Sequence, residues 1–322
     1  MFTSWGWGGG DHAGRPEPAL EREFRPLRAL DAAPEDVLVI HYSAYAPALA
    51  EQLDRPQRIV LVSHNITPAE WFWDHDAVTA VNCEVGRSEL PRFARAADVA
   101  VGVSAFNARE LAAAGARETA VVPVLVDPAS LGAPGPPPGA GSGPEVLFVG
   151  RLTPHKRHDL ALRAFALYRA QHAPDARLSF VGSPLSTAYR DRLVELADRL
   201  APGAVRFESG LSAAALADRW RAAHAFLCLS EHEGFCIPLL EAFHFGVPVI
   251  ARPAGGVPEV AGDAALLVED TDPAVAAALL HLVVSDAGLA GALRERGRAR
   301  LAAYDHARVA GELRALLERV AA

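Results

Sequence analysis

The chain has 322 residues, 51% of them hydrophobic, and a formal net charge of -8. That length suggests two domains with sizeable cores, and the acidic balance argues against broad electrostatic binding to nucleic acid. The three cysteines, Cys83, Cys228 and Cys236, are odd in number and have no C-x-x-C spacing, so neither a disulfide framework nor a zinc site is suggested, and a reducing, cytoplasmic setting is expected.

Met1 to Asp11 carries Trp5 and Trp7 among glycines, without the basic start and apolar core of a signal peptide. No apolar run approaches the ~18–20 residues of a membrane span. Strand-like runs follow at Val37–Ile40, Ile59–Val62 and Val99–Val103, each leading into polar or small residues suited to the carboxyl edge of a sheet. His41 and His64 end the first two runs, and His64 is read either as facing a cleft or as a strand-end histidine bonded to backbone. Trp71-Phe72-Trp73 is either a stacking platform or core packing. Arg87, Arg92 and Arg95 form at most a weak basic patch, better read as a solvated face, which leaves peripheral association with a membrane open. Residues 134–144 are almost all Pro and Gly and read as a linker.

The second half restarts with strand-like runs at Val146–Val149, Leu178–Val181, Val205–Phe207, Ala225–Leu229, Val247–Ala251 and Ala265–Val268. Helical stretches alternate with them at about 157–172, 187–200, 212–223, 237–245 and 273–285, and 288–320 is mostly helical. The alternation predicts an α/β protein with doubly wound parallel sheets, whose ligands sit beyond the carboxyl ends of the strands.

Lys156 is the only lysine among 31 basic residues. It lies in Gly150-Arg151-Leu152-Thr153-Pro154-His155-Lys156, where a strand runs into a helix. Arg151 and Lys156 aimed at one spot would clamp a diphosphate; the alternative is that Lys156 is a leftover surface cation. In Glu233-Gly234-Phe235-Cys236-Ile237-Pro238-Leu239-Leu240-Glu241, Gly234 permits a turn and Pro238 suits a helix start. The amides of Phe235, Cys236 and Ile237 should then face an anion at the helix end. Glu233 and Glu241 bracket the turn as acceptors for sugar hydroxyls, or else cap the helix and stay solvated. An unpaired carboxylate within Leu239-Leu240-Glu241-Ala242-Phe243 would be costly.

The spacing of Glu233 and Glu241 resembles the E-x7-E signature of the retaining glycosyltransferases of family four, which have the GT-B fold. Gly150-Arg151 with Lys156, Gly246–Ala251 and Gly255-Gly256-Val257-Pro258-Glu259 continue the resemblance over most of 145–270. Ser63–Glu70 and Ser104–Leu111 resemble a bacterial branch more loosely. The resemblance implies two Rossmann-like domains across a cleft: an acceptor-side domain at 1–133, the linker, a donor domain at 145–303, and a last helix at 304–322 packing back on the first domain. It implies that Arg151 and Lys156 hold the donor diphosphate, with Gly150 and Gly234 at the turns beside it. Glu233 meets the transferred sugar, Glu241 takes the ribose hydroxyls, and the amides of Phe235, Cys236 and Ile237 bind the distal phosphate. Many members have Gly where Cys236 stands. His64 would face the donor sugar, and base contacts would come from the loops at Gly182–Pro184 and Phe207–Gly210. Gly8-Gly9-Gly10-Asp11-His12 would be the phosphate-closing loop, with Gly10 touching the donor. Only seven residues precede it, so the first strand is expected to be missing or stunted.

The expected activity is retaining transfer of a hexose-type sugar from a nucleoside-diphosphate sugar to a hydroxyl acceptor of unknown identity. No cofactor or metal is expected, because no acidic cluster has the pattern of a metal site. The main rival is a nucleotide-sugar-binding subunit without turnover. A sugar-nucleotide epimerase and a pyridoxal phosphate phosphorylase fit the motif context less well, and the absence of G-x-x-x-x-G-K-[ST] argues against an NTPase.

Overall fold

A computed structural model describes residues 5–6, 25–27, 30–139 and 143–322. The glycine run at 8–12, Gly10 included, lies outside the described residues. Two short strands, β1 (Trp5–Gly6) and β2 (Arg25–Pro26), pair in parallel with each other and join neither of the larger sheets.

The first large sheet contains β3 (Val37–Tyr42), β4 (Arg58–Ser63), β5 (Val99–Gly102) and β6 (Thr119–Val121), all parallel and in that order. Its connections carry α1 (Pro47–Ala50), α2 (Ala77–Ala96) and α3 (Ala105–Ala113), and α4 (Pro128–Leu131) follows β6. The second sheet contains β7 (Glu145–Val149), β8 (Arg177–Val181), β9 (Val205–Glu208), β10 (Ala225–Cys228), β11 (Val249–Ala251) and β12 (Ala265–Leu267), in the order β12-β11-β10-β7-β8-β9. Its helices are α5 (His158–Gln171), α6 (Thr187–Leu200), α7 (Ala213–Ala222), α8 (Ile237–Phe245), α9 (Val257–Ala261), α10 (Pro273–Ser285) and α11 (Ala287–Leu301). The strand order reverses between β7 and β10, so the crevice of this doubly wound sheet opens where their carboxyl ends diverge.

Side-chain alternation along the strands separates the cores. Val146 and Phe148 of β7 pack on one face of the second sheet with Leu162, Phe165 and Leu280, while Leu147 packs on the other with Trp220, Phe226 and Leu239. In the first sheet, Ile59 and Leu61 face α2 and its neighbours, and Val60 and Val62 face α12 (His306–Ala321). Val309, Leu316 and Val320 of that last helix cover Val60, Val62, Val99 and Val101, so the end of the chain closes the core of its first domain. Each such buried side chain contributes about 1.5–3 kcal/mol. The residues just before the linker are strapped to the second domain, with Arg221 donating to the Ala133 carbonyl at 2.9 and 3.0 Å and His244 to the Gly132 carbonyl at 2.7 Å.

One predicted strand starts late. Val247 donates its N–H to Ala242 O at 2.8 Å, which closes α8 over the left-handed Gly246, and Pro248 has no N–H to give; the ladder therefore begins at Val249. The edge strand β6 and helices α2, α3 and α9 are additions to the sequence reading. Among the described residues, no single helix is long and apolar enough to cross a membrane.

Candidate active site

The site grows from the end of β10. The chain turns through 229–236 and enters α8, and two contacts from other loops fix this turn. Glu231 N–H donates to His155 O at 2.8 Å, and Gly256 N–H donates to Glu233 O at 2.9 Å. Gly255 has φ +58, and any Cβ there would run into the Glu233 carbonyl, so glycine is required to hold Glu233 in place. The first domain closes on the same turn. Ser104 Oγ donates to Gly234 O at 2.7 Å, and a Cβ on Gly234 would lie 2.7 Å from the Cβ of Asn65.

Cys236 immediately precedes α8 in the left-handed region, φ 73 and ψ 67, and caps the helix with no side-chain hydrogen bond. A residue with a Cβ costs about 1–2 kcal/mol in that conformation. Among the described residues, the backbone amides of Gly234, Phe235 and Cys236 donate to no backbone acceptor. Together with the first amide of α8 they form a set of donors at the positive end of a helix. Cys236 also lies beside Cys228, their sulfurs 3.9 Å apart, and Ser230 Oγ is 3.3 Å from the Cys228 sulfur. The strand–turn–helix return brings together two thiols whose spacing along the chain suggested neither a disulfide nor a metal site.

Lys156 ends a short 3-10 turn, Pro154–Lys156, and its Nζ is 2.6 Å from Glu233 Oε1, with side-chain exposures of 17% and 8%. Burial alone would depress the lysine pKa, but Glu233 and the two thiols outweigh it, and the ammonium is held more firmly than usual. Gly150 packs against this lysine: a Cβ there would sit 4.0 Å from Lys156 Cε. Arg151 departs from the expected clamp. It is exposed, and its guanidinium makes no ion pair or hydrogen bond among the described residues. Arg157, in the left-handed region, instead pairs with Asp159 at 3.0 Å and with Glu231.

Glu241 lies on α8 beside the buried Trp220. Glu241 Oε2 and the Trp220 indole nitrogen are both buried without a hydrogen-bond partner. Burial pushes the Glu241 carboxyl up to about 7, partly offset by the nearby indole. Across the carboxyl edge, Arg219 grips Glu208 with two bonds of 2.6 Å.

On the first domain, His64 stacks on His41 with ring centroids 5.0 Å apart, and Nε2 of His64 is 2.7 Å from Nδ1 of His41. Desolvation lowers both pKa values, and the His41 charge lowers His64 further, so one neutral imidazole donates to the other at pH 7. Sequence reasoning paired neither. It also gave no role to the polar bridge between the domains. His232 bonds Asn65, whose Nδ2 donates to Glu110 Oε2 at 2.8 Å, and Ala105 N–H donates to Glu259 Oε2 at 2.6 Å. Burial, with Arg87 nearby, lowers His232 to about 4, so it bonds Asn65 as a neutral ring. The signal was present as the polar residues Asn65, Glu110 and Glu259 within the quoted motifs, but spacing does not say which contacts cross a cleft.

The tryptophan cluster splits. Phe72 is buried in the first domain's core, Trp71 packs against it, and Trp73 is 50% exposed. Trp71 and His75 also line a cavity of about 390 Å³, closed on the other side by Arg157, Tyr189 and Arg192 of the second domain.

Two parallel-sheet domains, the second a doubly wound sheet, with contacts from the first domain onto the turn before α8, define the class of GT-B-type folds. Solved structures agree on the fold. HepE of Anabaena, crystallised with UDP and glucose, superposes with a TM-score of 0.70 at 20% identity over 84% of this chain and 74% of its own. Sucrose-phosphate synthase from Thermosynechococcus elongatus gives 0.71 at 21% identity, over 88% and 73%. Residues 138–300 match the profile of the family described as Glycosyl transferases group 1, and the chain belongs to that family. A D-inositol 3-phosphate glycosyltransferase of Streptomyces bingchenggensis is 36% identical over 152 residues, 44% of this chain and 33% of that protein. One of Frankia alni is 39% identical over 140 residues, 41% of this chain and 34% of that protein. The matched segment spans about a third of these relatives' length.

Proposed function

We propose that this protein is a retaining glycosyltransferase that moves a hexose-type sugar from a nucleoside-diphosphate sugar to a hydroxyl acceptor without a metal. One observation carries the reading: the turn entering α8 has amides that donate to no backbone acceptor among the described residues, Glu233 on that turn is paired with Lys156, and Glu241 further along the same helix has a buried Oε2 without a partner. That is an anion site between two carboxylates, the outline of a diphosphate between two hydroxyl-rich groups. The relatives' names and the UDP bound to HepE accord with it.

In this reading the diphosphate lies on the amides of 235–237. Lys156 trades Glu233 for the departing phosphate and stabilises its charge by preorganised electrostatics. Arg151, exposed at the same strand end, turns in to the diphosphate. Glu233, freed from the lysine, holds the transferred sugar, and Glu241 accepts the ribose hydroxyls. The departing phosphate oxygen takes the acceptor's proton on the same face, which retains configuration. His64, oriented by His41, faces the sugar from the first domain. The three free, buried thiols suit a reducing cytoplasm. The test is turnover against a panel of nucleotide sugars in excess EDTA, with the anomeric configuration of the product read by NMR. Transfer with retention is expected. Tight nucleotide binding without turnover would favour the binding-subunit rival, and magnesium-reversible loss in EDTA would overturn metal independence.

A further inference from the structure

We infer that Cys228, Cys236 and Glu233 form a binding site for one thiophilic divalent ion of the zinc or cadmium type, built into the floor of the cleft. The three side chains are the one group of metal-capable residues found among the described residues, with ligand atoms all within 4.8 Å of one another. Two thiols and one carboxylate are a donor set for a soft or borderline ion, whereas magnesium and calcium require oxygen ligands.

The spacing of the sulfurs suits one bridging ion and not a disulfide. A zinc–sulfur bond is about 2.3 Å, so two thiolates at a tetrahedral angle on one zinc sit ~3.8 Å apart. The observed separation is 3.9 Å. A disulfide requires about 2.05 Å, so it needs the sulfurs to move far closer, against a strand end and a helix start that other contacts hold. Simple core packing explains the proximity of two thiols, but not a buried carboxylate whose oxygen lies within 4.8 Å of both sulfurs.

Charge also balances. Two thiolates and Glu233 bring three negative charges into a buried site, and a divalent ion with the neighbouring Lys156 ammonium brings three positive ones. The lysine that neutralises Glu233 in the free protein thus stays as a counter-charge once the ion takes the carboxylate. Cys236, in the left-handed region, already has its sulfur beside that of Cys228 at the end of β10. Binding releases the two thiol protons to solvent, forms two metal–sulfur bonds and one metal–oxygen bond, and involves no change of oxidation state.

The experiment uses the reduced 322-residue chain titrated with cadmium, followed by the thiolate-to-metal charge-transfer absorbance, with zinc as competitor. The expected result is saturation at one ion per chain and displacement of cadmium by zinc. Cys83→Ser should bind as wild type. Cys236→Gly, which suits the left-handed backbone, and Cys228→Ser should each lose more than ~100-fold in affinity, since disturbing only the partners of metal ligands already costs about 10–100-fold. Glu233→Gln should weaken binding while keeping the charge-transfer band. No band, a band abolished by Cys83→Ser, or wild-type affinity in Cys236→Gly would each overturn the inference. The readout is spectroscopic, so it stands or falls apart from the glycosyltransfer reading.

Discussion

Glu241→Gln should raise the stability of the free protein at pH 8 and at the same time weaken its hold on a nucleoside diphosphate. The Glu241 carboxyl is raised from 4.5 to about 7, chiefly by burial. Below pH 4.5 the acid is neutral in both folded and unfolded chains and costs nothing. Between about 4.5 and 7 the unfolded chain ionises while the folded chain stays protonated, so stability falls as pH rises, and the loss is complete above the folded value. At about 1.4 kcal/mol per unit the full shift corresponds to ~3 kcal/mol; because the side chain is only partly enclosed, ~1–2 kcal/mol is the realistic size. Glutamine cannot ionise, so the mutant's advantage should be absent at pH 4, grow through pH 5–7 and level off by pH 8. Thermal or urea melts of both proteins at four pH values measure this. The ligand arm has the opposite sign: ribose hydroxyls donate to the charged carboxylate and pull its pKa down, so nucleotide binding by the wild type should release a proton near pH 6, beyond what the mutant releases. Calorimetry in two buffers of different ionisation enthalpy reads that proton. A stability difference independent of pH, or equal proton release in both proteins, would refute the reasoning.

Lys156→Ala should lower transfer about 10²–10³-fold, the usual cost of removing one preorganised donor to developing charge, and should also lower the melting temperature because it leaves Glu233 buried and unpaired. Lys156→Arg should recover stability better than rate, since the wider guanidinium must fit beside Gly150; wild-type kcat in this variant would contradict the role of a compact charge. Glu233→Gln should impair kcat with nucleoside diphosphate affinity held within about twofold, whereas Glu241→Ala should lose roughly tenfold in that affinity; equal losses in both would undo the division of roles. Leu316→Ala should destabilise the first domain by about 2–3 kcal/mol, read as a lower denaturation midpoint, and no change would mean that α12 is not part of that core.

Much of the second domain was legible from sequence because its strands are short apolar runs bounded by turns and its helices have clear ends. Residues 187–200, 237–245 and 273–285 were read with the observed limits. The first half was harder. Helix α2 contains Pro91, which reads as a break, and its start is marked only by Asp76 accepting from Thr79 N–H at 3.0 Å. Strand β6 is an exposed edge with three residues, too short for a period. Within the candidate site, Lys156, Glu233 and Glu241 stand out in the sequence as a lone lysine, a carboxylate beside a glycine turn and a carboxylate in an apolar helix. What the residues did not disclose was pairing through space. That Lys156 reaches Glu233, that His41 touches His64 and that Cys228 meets Cys236 all depend on how loops from separate strands converge, and no spacing along the chain encodes that.

The seating of α12 on the first sheet bears on how the molecule is made. Synthesis yields Val60, Val62, Val99 and Val101 early, yet their covering residues Val309, Leu316 and Val320 come near the end of the chain. At about 5–20 residues per second, roughly two hundred intervening residues take on the order of 10–40 s to emerge from the ribosome. Through that interval one face of a parallel sheet stands bare, and an uncovered apolar sheet face is a sticky surface. The nascent first domain is therefore a natural client for a chaperone, and the second domain, whose two core faces are complete by Leu301 and Tyr304, is able to fold before the first one finishes.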